Sequence, residues 1–285
     1  MKIQLIVDSC CDLTPELKEK LVPDIAPLTI RLAGSEYLDD GTVDVAAMLD
    51  EMAASKQGAS SACPSSEDYA EHMRKYDQCF VVTLSSKLSG SYNAARIAAE
   101  MVMEEFPDKK IYVFDSKTAS AGELQLALFL HEKIEQGLSF DEIVVLGEEF
   151  IDSLRTMFVV EDLGNLIRNG RLSKVSGLIA SVLSLCPIMG ENGQGDIKLV
   201  AKVRGIQNSL RKLVELVSEH TSNAAANSLR LVLSYCHCPE RATALKTDLM
   251  EKCNALREVI LVSTGALSSM YANKGGVVIA FSSAD

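Results

Sequence analysis

Phe80-Val81-Val82-Thr83-Leu84-Ser85-Ser86-Lys87-Leu88-Ser89-Gly90-Ser91-Tyr92 is the stretch from which the fold can be read. Phe80 to Thr83 are aromatic or β-branched and predict a buried strand. From Asn93 to Glu105 the apolar residues Ala94, Ile97, Ala98, Met101 and Val102 recur at helical spacing. The order strand, hydroxyl-rich loop, helix places backbone N–H groups and serine hydroxyls at the positive end of a helix, where a carboxylate or phosphate is stabilised. Gly90 lets the backbone approach such an anion closely, because it has no Cβ. The same serines would serve equally as ordinary caps and turn formers.

Working outward, the same unit recurs on both sides. A strand at Lys2 to Val7 runs into Asp8-Ser9-Cys10-Cys11-Asp12 and a helix marked by Thr14 as N-cap and Pro15 at the first helical position. Downstream, a strand at Ile111 to Phe114 ends in Asp115-Ser116-Lys117-Thr118-Ala119-Ser120 before a helix from Gly122 to Gln136. Between them come a strand at Ile25 to Leu32, a turn at Asp40-Gly41 and a helix from Val43 to Ala54. In the loop from Gly58 to Ser65, Pro64 keeps Cys63 out of helical conformation, and Ser65 with Asp68 caps the next helix. In an open parallel sheet, the loops at the carboxyl ends of the strands share one rim, and ligands bind where the strand order reverses. Asp8-Ser9, Ser85-Ser86-Ser89 and Asp115-Ser116, joined by Ser60-Ser61, are therefore expected to face one crevice. Each is also the kind of residue that ends strands everywhere.

After a helix from Asp141 to Phe150, introduced by the pairing of Ser139 with Glu142, the texture changes. A strand at Arg155 to Val160 and a helix from Asp162 to Asn169, stopped by Gly170, precede a helix from Ser173 to Leu185. A strand at Pro187 to Met189 turns through Asn192-Gly193 into a returning strand at Ile197 to Val203. Helices at Gly205 to His220 and Pro239 to Asn254 then alternate with strands at Leu229 to Tyr235 and Arg257 to Val262, and Gly276 to Phe281 is a final strand. The hairpin implies a mixed sheet. The expectation is an α/β protein of two domains. Residues 1–155 would carry a mainly parallel sheet and 156–285 a smaller mixed sheet, with the ligand between them.

Composition narrows the function. A chain of 285 residues with 47% hydrophobic content supports two cores at a domain size of roughly 150 residues. A net charge of -11, 5% aromatic residues and no Trp leave neither a basic face for a phosphate backbone nor stacking platforms for bases, which argues against nucleic acid. The N-terminal apolar run is too short for a signal peptide, and the longest apolar stretch, Gly177 to Met189, is too short to span a bilayer. The expected location is cytoplasmic, without stable membrane insertion and with the eight Cys as reduced thiols.

Catalytic motifs are sparse. No nucleophile elbow, Walker loop or dinucleotide fingerprint occurs, and no metal or cofactor is expected. Cys236-His237-Cys238 is an isolated cluster without a second ligand pair. A hydrolase or phosphotransferase using the Ser85 to Ser91 loop as nucleophile remains as an alternative, but it lacks a base other than Lys87. Arg171, beside Gly170, and Arg204, at a strand end before a helix, are either solvated linker charges or the cations that would draw an anion to this acidic protein.

Taken together, Asp8-Ser9, Ser61-Ala62-Cys63-Pro64-Ser65, Leu84 to Tyr92, Asp115 to Gly122, Asn169-Gly170-Arg171-Leu172-Ser173 and Lys202-Val203-Arg204 resemble the DegV family over essentially the whole chain. The resemblance implies two α/β domains holding a long-chain fatty acid, with its carboxylate hydrogen-bonded by loop hydroxyls. It implies a non-catalytic, acyl-binding subunit that presents the carboxylate to a separate ATP-dependent kinase for acyl phosphate formation in phospholipid synthesis. A lipid sensor without a kinase is the neighbouring reading. Carried over by motif, Ser61, Ser89, Gly90 and Ser86 would bind the carboxylate, and Arg171 and Arg204 would stand at the pocket mouth facing the phosphoryl group or the kinase. Asp8, Ser9 and Ser116 would form the rim. The tail would lie along Gly177 to Met189 and the apolar faces of the helices from Asn93 and Gly122. This sequence departs from the family pattern in having Ala62 and Cys63 in place of Ser and Gln. It also lacks the C-terminal His-Thr-Gly-Pro-Gly, having Gly265 to Gly276 there with no His after His237.

Overall fold

A computed structural model describes residues 3–55, 57–172 and 185–282. The helix expected from Ser173 lies outside these residues except for Leu185, as do residues 177–184 of the expected tail wall. The helices expected from Asn93 and Gly122, its other two parts, are described, and neither contributes a residue to the lining of the cavity between the two halves.

The first half runs β1 (Gln4–Asp8), α1 (Pro15–Leu21), β2 (Asp24–Ala26), β3 (Thr29–Leu32), β4 (Ser35–Leu38), α2 (Val45–Ala54) and β5 (Ser60–Ala62). It continues through α3 (Ser66–Met73), β6 (Gln78–Thr83), α4 (Ser91–Glu105), β7 (Lys110–Asp115), α5 (Ala121–Glu135) and α6 (Phe140–Ser153). The second half adds β8 (Leu154–Val159), α7 (Gly164–Arg168), β9 (Ile188–Glu191), β10 (Ile197–Ala201) and α8 (Ile206–His220). It closes with β11 (Leu229–Tyr235), α9 (Pro239–Lys252), β12 (Leu256–Ser263), α10 (Ala266–Ala272) and β13 (Val277–Ser282).

β2, β1, β6 and β7 lie side by side in that order, all parallel. Their side chains alternate between two buried faces, which is why these strands read as continuous apolar runs. Val7, Phe80 and Val82 pack on α5 and α6, whereas Ile6, Cys79 and Val81 pack on α3 and α4. The strand order reverses between β1 and β6, where a doubly wound sheet opens a crevice.

The second sheet runs β10-β9-β8-β13-β11-β12. It is mixed, as the hairpin implies, with β11 and β12 parallel and the other pairs antiparallel. It is not the smaller sheet: it has six strands against four in the parallel sheet. The reason is that β8 and β13, from opposite ends of the second half, pair directly and merge the β9–β10 hairpin with the β11–β12 unit. Leu213 and Val217 of α8 and Leu245 of α9 cover one face, packing with Leu231 and Leu233 of β11. The other face presents Val232 and Ala280 to α5. Residues Ala121 to Leu128 of α5 are therefore buried around the helix between the two sheets, whereas its last turn, from His131, is half-buried or exposed.

A third sheet, β4-β3-β5, is absent from the sequence reading. The single strand expected from Ile25 to Leu32 is two strands in different sheets, because Pro27 has no N–H to continue the ladder between β2 and β3. Leu28, Ile30 and Leu32 pack with Met48 of α2 and with Ala266, Leu267 and Met270 of α10, so the last helix of the chain docks on the first half. Among the described residues, no helix is long and apolar enough to cross a membrane. All eight cysteines are free thiols.

Candidate functional site

A cavity of about 350 Å³ lies between the two halves, within the size range of small-ligand sites. Its lining is largely apolar, with Leu28, Leu84, Leu88, Phe158, Val160, Leu166, Ile197, Leu267 and Val278. The polar exceptions include Ser61, Ser89, Thr118, Ser120, Ser268, Tyr271 and Arg171, and Gly90 contributes backbone.

Local sequence accounts for how the serine loop is shaped. After β6, the amides of Leu88 and Ser89 both donate to the Ser85 carbonyl, at 2.9 and 3.1 Å, closing a tight turn. Ser89 Oγ accepts from the Ser91 amide at 3.2 Å and pairs with Ser91 Oγ at 3.1 Å, at the start of α4. Gly90 is the N-cap of α4 and has no side chain to supply a cap bond, which leaves the helix's positive end to other partners. A Cβ at Gly90 would stand 3.1 Å from Cys63 Sγ, so the absent side chain is also what lets the β5 loop approach.

Arg171 is positioned by a Schellman motif. The Gly170 amide donates to the Ile167 carbonyl at 3.0 Å and the Arg171 amide to the Leu166 carbonyl at 2.9 Å. Gly170 has φ +76°, the left-handed conformation this closure requires. Arg171 Nε then donates to the Leu88 carbonyl of the serine loop at 3.1 Å, and its Nη1 donates to the Asn169 carbonyl. The guanidinium thus bridges the two halves and retains further N–H groups at the cavity. Ser85, fully buried, makes the second bridge by donating to the Gly195 carbonyl of the β9–β10 turn at 2.8 Å.

Of the residues expected at the site, Ser61, Ser89, Gly90 and Arg171 line this cavity together. Ser86, Arg204, Asp8, Ser9 and Ser116 are not among its lining residues, and each has a physical reason. Asp8 sits at the switch point but closes it: its two carboxylate oxygens accept the Cys10 amide at 3.0 Å and the Leu84 amide at 2.9 Å, tying β1 to β6. Ser9 Oγ accepts the Leu28 amide at 3.0 Å. Ser116 is buried and donates to the Thr118 carbonyl at 3.4 Å. The Ser86 amide is held by Asp115 at 3.0 Å, and Arg204 is exposed beyond β10. Among the described residues none of the four His lines the cavity, and Lys87 is exposed.

Directly behind the lining residues Cys10, Ser120 and Ser268 lies a buried acidic layer. Desolvation pushes Asp8 and Asp12 up to about 6. Glu123 is driven well above the usual carboxyl range, first by burial and then by the Asp8 charge. Glu123 lies against the Cys10 thiol and the Asp8 carboxyl, and as an acid it can direct its proton toward Asp8. Asp8, Cys10 and Glu123 are close enough to share an ion, but Asp8 is already committed to two backbone amides, so a proton-sharing pair describes them better. Asp12 accepts from Ser120 Oγ and, at 2.8 Å, from the Gly265 amide. Ser120 itself has φ +57° at the start of α5, an uncommon conformation for a residue with a side chain.

Tyr271 was not foreseen. It sits in α10, whose first amides, Ala266 and Leu267, donate to the Asp39 carboxylate at 3.0 and 3.1 Å. Its hydroxyl lies 3.0 Å from Ser61 Oγ. The only local signal was a single aromatic hydroxyl in the otherwise small and apolar run Ala266-Leu267-Ser268-Ser269-Met270-Tyr271-Ala272.

A largely apolar cavity with hydroxyls and an arginine among its polar lining, set between a doubly wound parallel sheet and a mixed sheet, defines a two-part α/β ligand-binding protein. The chain belongs to the DegV family, whose model, described as an uncharacterised protein of that family, matches residues 2–284. A DegV domain-containing protein of Streptococcus pneumoniae is 31% identical over 286 residues, covering 99% of each chain. Among solved structures, a DegV family protein of Ruminococcus gnavus, refined with vaccenic acid, is 35% identical with a TM-score of 0.92, over 98% of this chain and 99% of that one. The fatty acid kinase (Fak) B3 protein of Streptococcus pneumoniae, loaded with linoleic acid, is 29% identical with a TM-score of 0.89, over 99% of both chains. A DegV family protein of Eubacterium eligens loaded with heptadecanoic acid is also 29% identical, with a TM-score of 0.87, over 98% of this chain and 99% of that one.

Proposed function

We propose that this protein binds a long-chain fatty acid in the cavity between its halves and presents the carboxylate to a separate ATP-dependent kinase, without catalysing the transfer itself. The observation that carries the reading is the meeting of Ser61, Ser89, Gly90 and Arg171, from distant parts of the chain, at one largely apolar cavity. Fatty acids in the similar structures support the ligand class. The kinase partner, the cytoplasmic location and the division into domains at 1–155 and 156–285 belong to the same proposal. The last is supported by the passage from α6 to β8 at Ser153–Leu154.

Energetics suit a carrier. Roughly a dozen buried methylenes at about 0.8 kcal/mol each contribute on the order of 10 kcal/mol before the costs of association. A hydrogen bond to the charged carboxylate adds about 1.5–3 kcal/mol. The tail sets the affinity and the hydroxyls set the orientation. No cofactor enters this scheme. Mass spectrometry of an organic extract of the purified, denatured protein should return a long-chain fatty acid at near-equal stoichiometry, and the Ser61→Ala, Ser89→Ala double variant should bind added fatty acid more weakly while folding normally. An empty extract with no uptake of added fatty acid would overturn the proposal. Arg171→Ala should retain the lipid but yield less acyl phosphate with a partner kinase.

A further inference from the structure

We infer that Tyr271 is a specificity-determining residue of the lipid site, its phenol forming with Ser61 a paired hydroxyl that recognises the ionised carboxylate. The inference rests on the lipid-binding reading above and adds to it a residue from the far end of the chain.

The geometry is direct. Tyr271 and Ser61 both line the cavity, and their oxygens are 3.0 Å apart, with either hydroxyl able to donate. Two hydroxyls joined by one hydrogen bond use one of their two protons internally, so the pair keeps one O–H to offer and two oxygens to receive. Facing a carboxylate, both hydroxyls can instead turn outward and donate, one to each oxygen or both to the same one. A phenol is the more acidic of the two and the better donor to an anion. An alcohol or ester head group offers no comparable charge, so the pair discriminates by charge rather than by shape.

The placement is built, not incidental. α10 is pinned at its start by Asp39, through the Ala266 and Leu267 amides, and by Asp12, through the Gly265 amide. Asn165 holds its other end, donating from Nδ2 to the Met270 carbonyl at 2.7 Å. Ser61 is held by the pairing of β5 with β3, opposite Ile30. Both hydroxyls therefore reach the cavity from backbones fixed by other contacts, so little conformational freedom is lost when the carboxylate arrives.

The test compares hexadecanoic acid with hexadecan-1-ol on the delipidated full-length protein and on Tyr271→Phe, which removes the oxygen and keeps the ring. Tyr271→Phe should weaken binding of the acid on the order of tenfold, as loss of one hydrogen bond to a charged group predicts. Binding of the alcohol should stay within about twofold, because the ring still packs. Adding Ser61→Ala should cost less than the product of the two single effects, since the hydroxyls act as a pair. Unchanged affinity of Tyr271→Phe for the acid, or an equal loss for acid and alcohol, would overturn the inference while leaving the lipid-binding reading intact. Failure of the unaltered protein to take up the acid at all would overturn both.

Discussion

Asp39→Ala tests the tertiary capping of α10. Asp39 is 6% exposed, and its carboxylate accepts from the Ala266 and Leu267 amides at 3.0 and 3.1 Å, two groups whose residues are each 1% exposed. Water has little access to replace it. Each buried amide left without an acceptor costs about 1–3 kcal/mol, so two orphaned amides cost about 2–6 kcal/mol. Part is returned, because burial holds the Asp39 pKa above the usual carboxylate range and removing the charge relieves that desolvation. The expected net loss is about 2–3 kcal/mol, a large fraction of the roughly 5–15 kcal/mol that stabilises a typical domain. Equilibrium urea unfolding should show it as a midpoint lowered by about 1 M at unchanged slope. Hydrogen exchange should quicken at Ala266 and Leu267. Asp39→Asn, which keeps one carbonyl oxygen, should lose about half as much. A shift below about 0.5 kcal/mol in both variants, no more than an ordinary surface substitution produces, would refute the capping account.

The buried carboxyls predict an unusual pH response. Asp8 and Asp12 titrate near 6 in the folded protein against 3.8 ordinarily, so the native state keeps protons that the unfolded chain releases. Their contribution, at most about 3 kcal/mol each, is complete below pH 4, falls as pH rises through 6, and is gone above it; Asp12→Asn should flatten that fall, and an unaltered pH profile in the variant would count against the assignment. Gly195→Ala should be severe, because Gly195 has φ +87° and the new Cβ would meet Ser85 Oγ at 2.2 Å. Gly170→Ala, with φ +76° but nothing within 4 Å, should cost only the roughly 1–2 kcal/mol of the left-handed conformation. Thermal melts that rank the two glycine variants the other way would remove the argument that the β9–β10 turn presses on the serine loop.

Where the fold was legible, the reason is local. β1, β6 and β7 are apolar runs with both faces buried, and the caps at Thr14, Ser65 and Ser139 are read from side chains that bond an amide three residues on. The serine loop and the glycine-closed turn before Arg171 follow from the same short-range chemistry. β4 and β5, of four and three residues, are too short to show a period, and Pro27 separated β2 from β3 within the stretch Ile25 to Leu32 expected to be one strand.

What the sequence alone determined is the set of strand, hydroxyl loop and helix units, and therefore the residue types available to meet an anion. Tertiary structure decided which of them do. Asp8 is as polar as Ser61 in sequence, but pairing of β1 with β6 turns its carboxylate onto backbone amides and out of the cavity. Tyr271 reaches Ser61 across 210 residues, because Asp39 and Asp12 seat α10 against the first half. Local patterns report contacts within a few residues, whereas the carboxylates and hydroxyls of this protein find their partners through backbone groups that only the assembled sheets bring within reach.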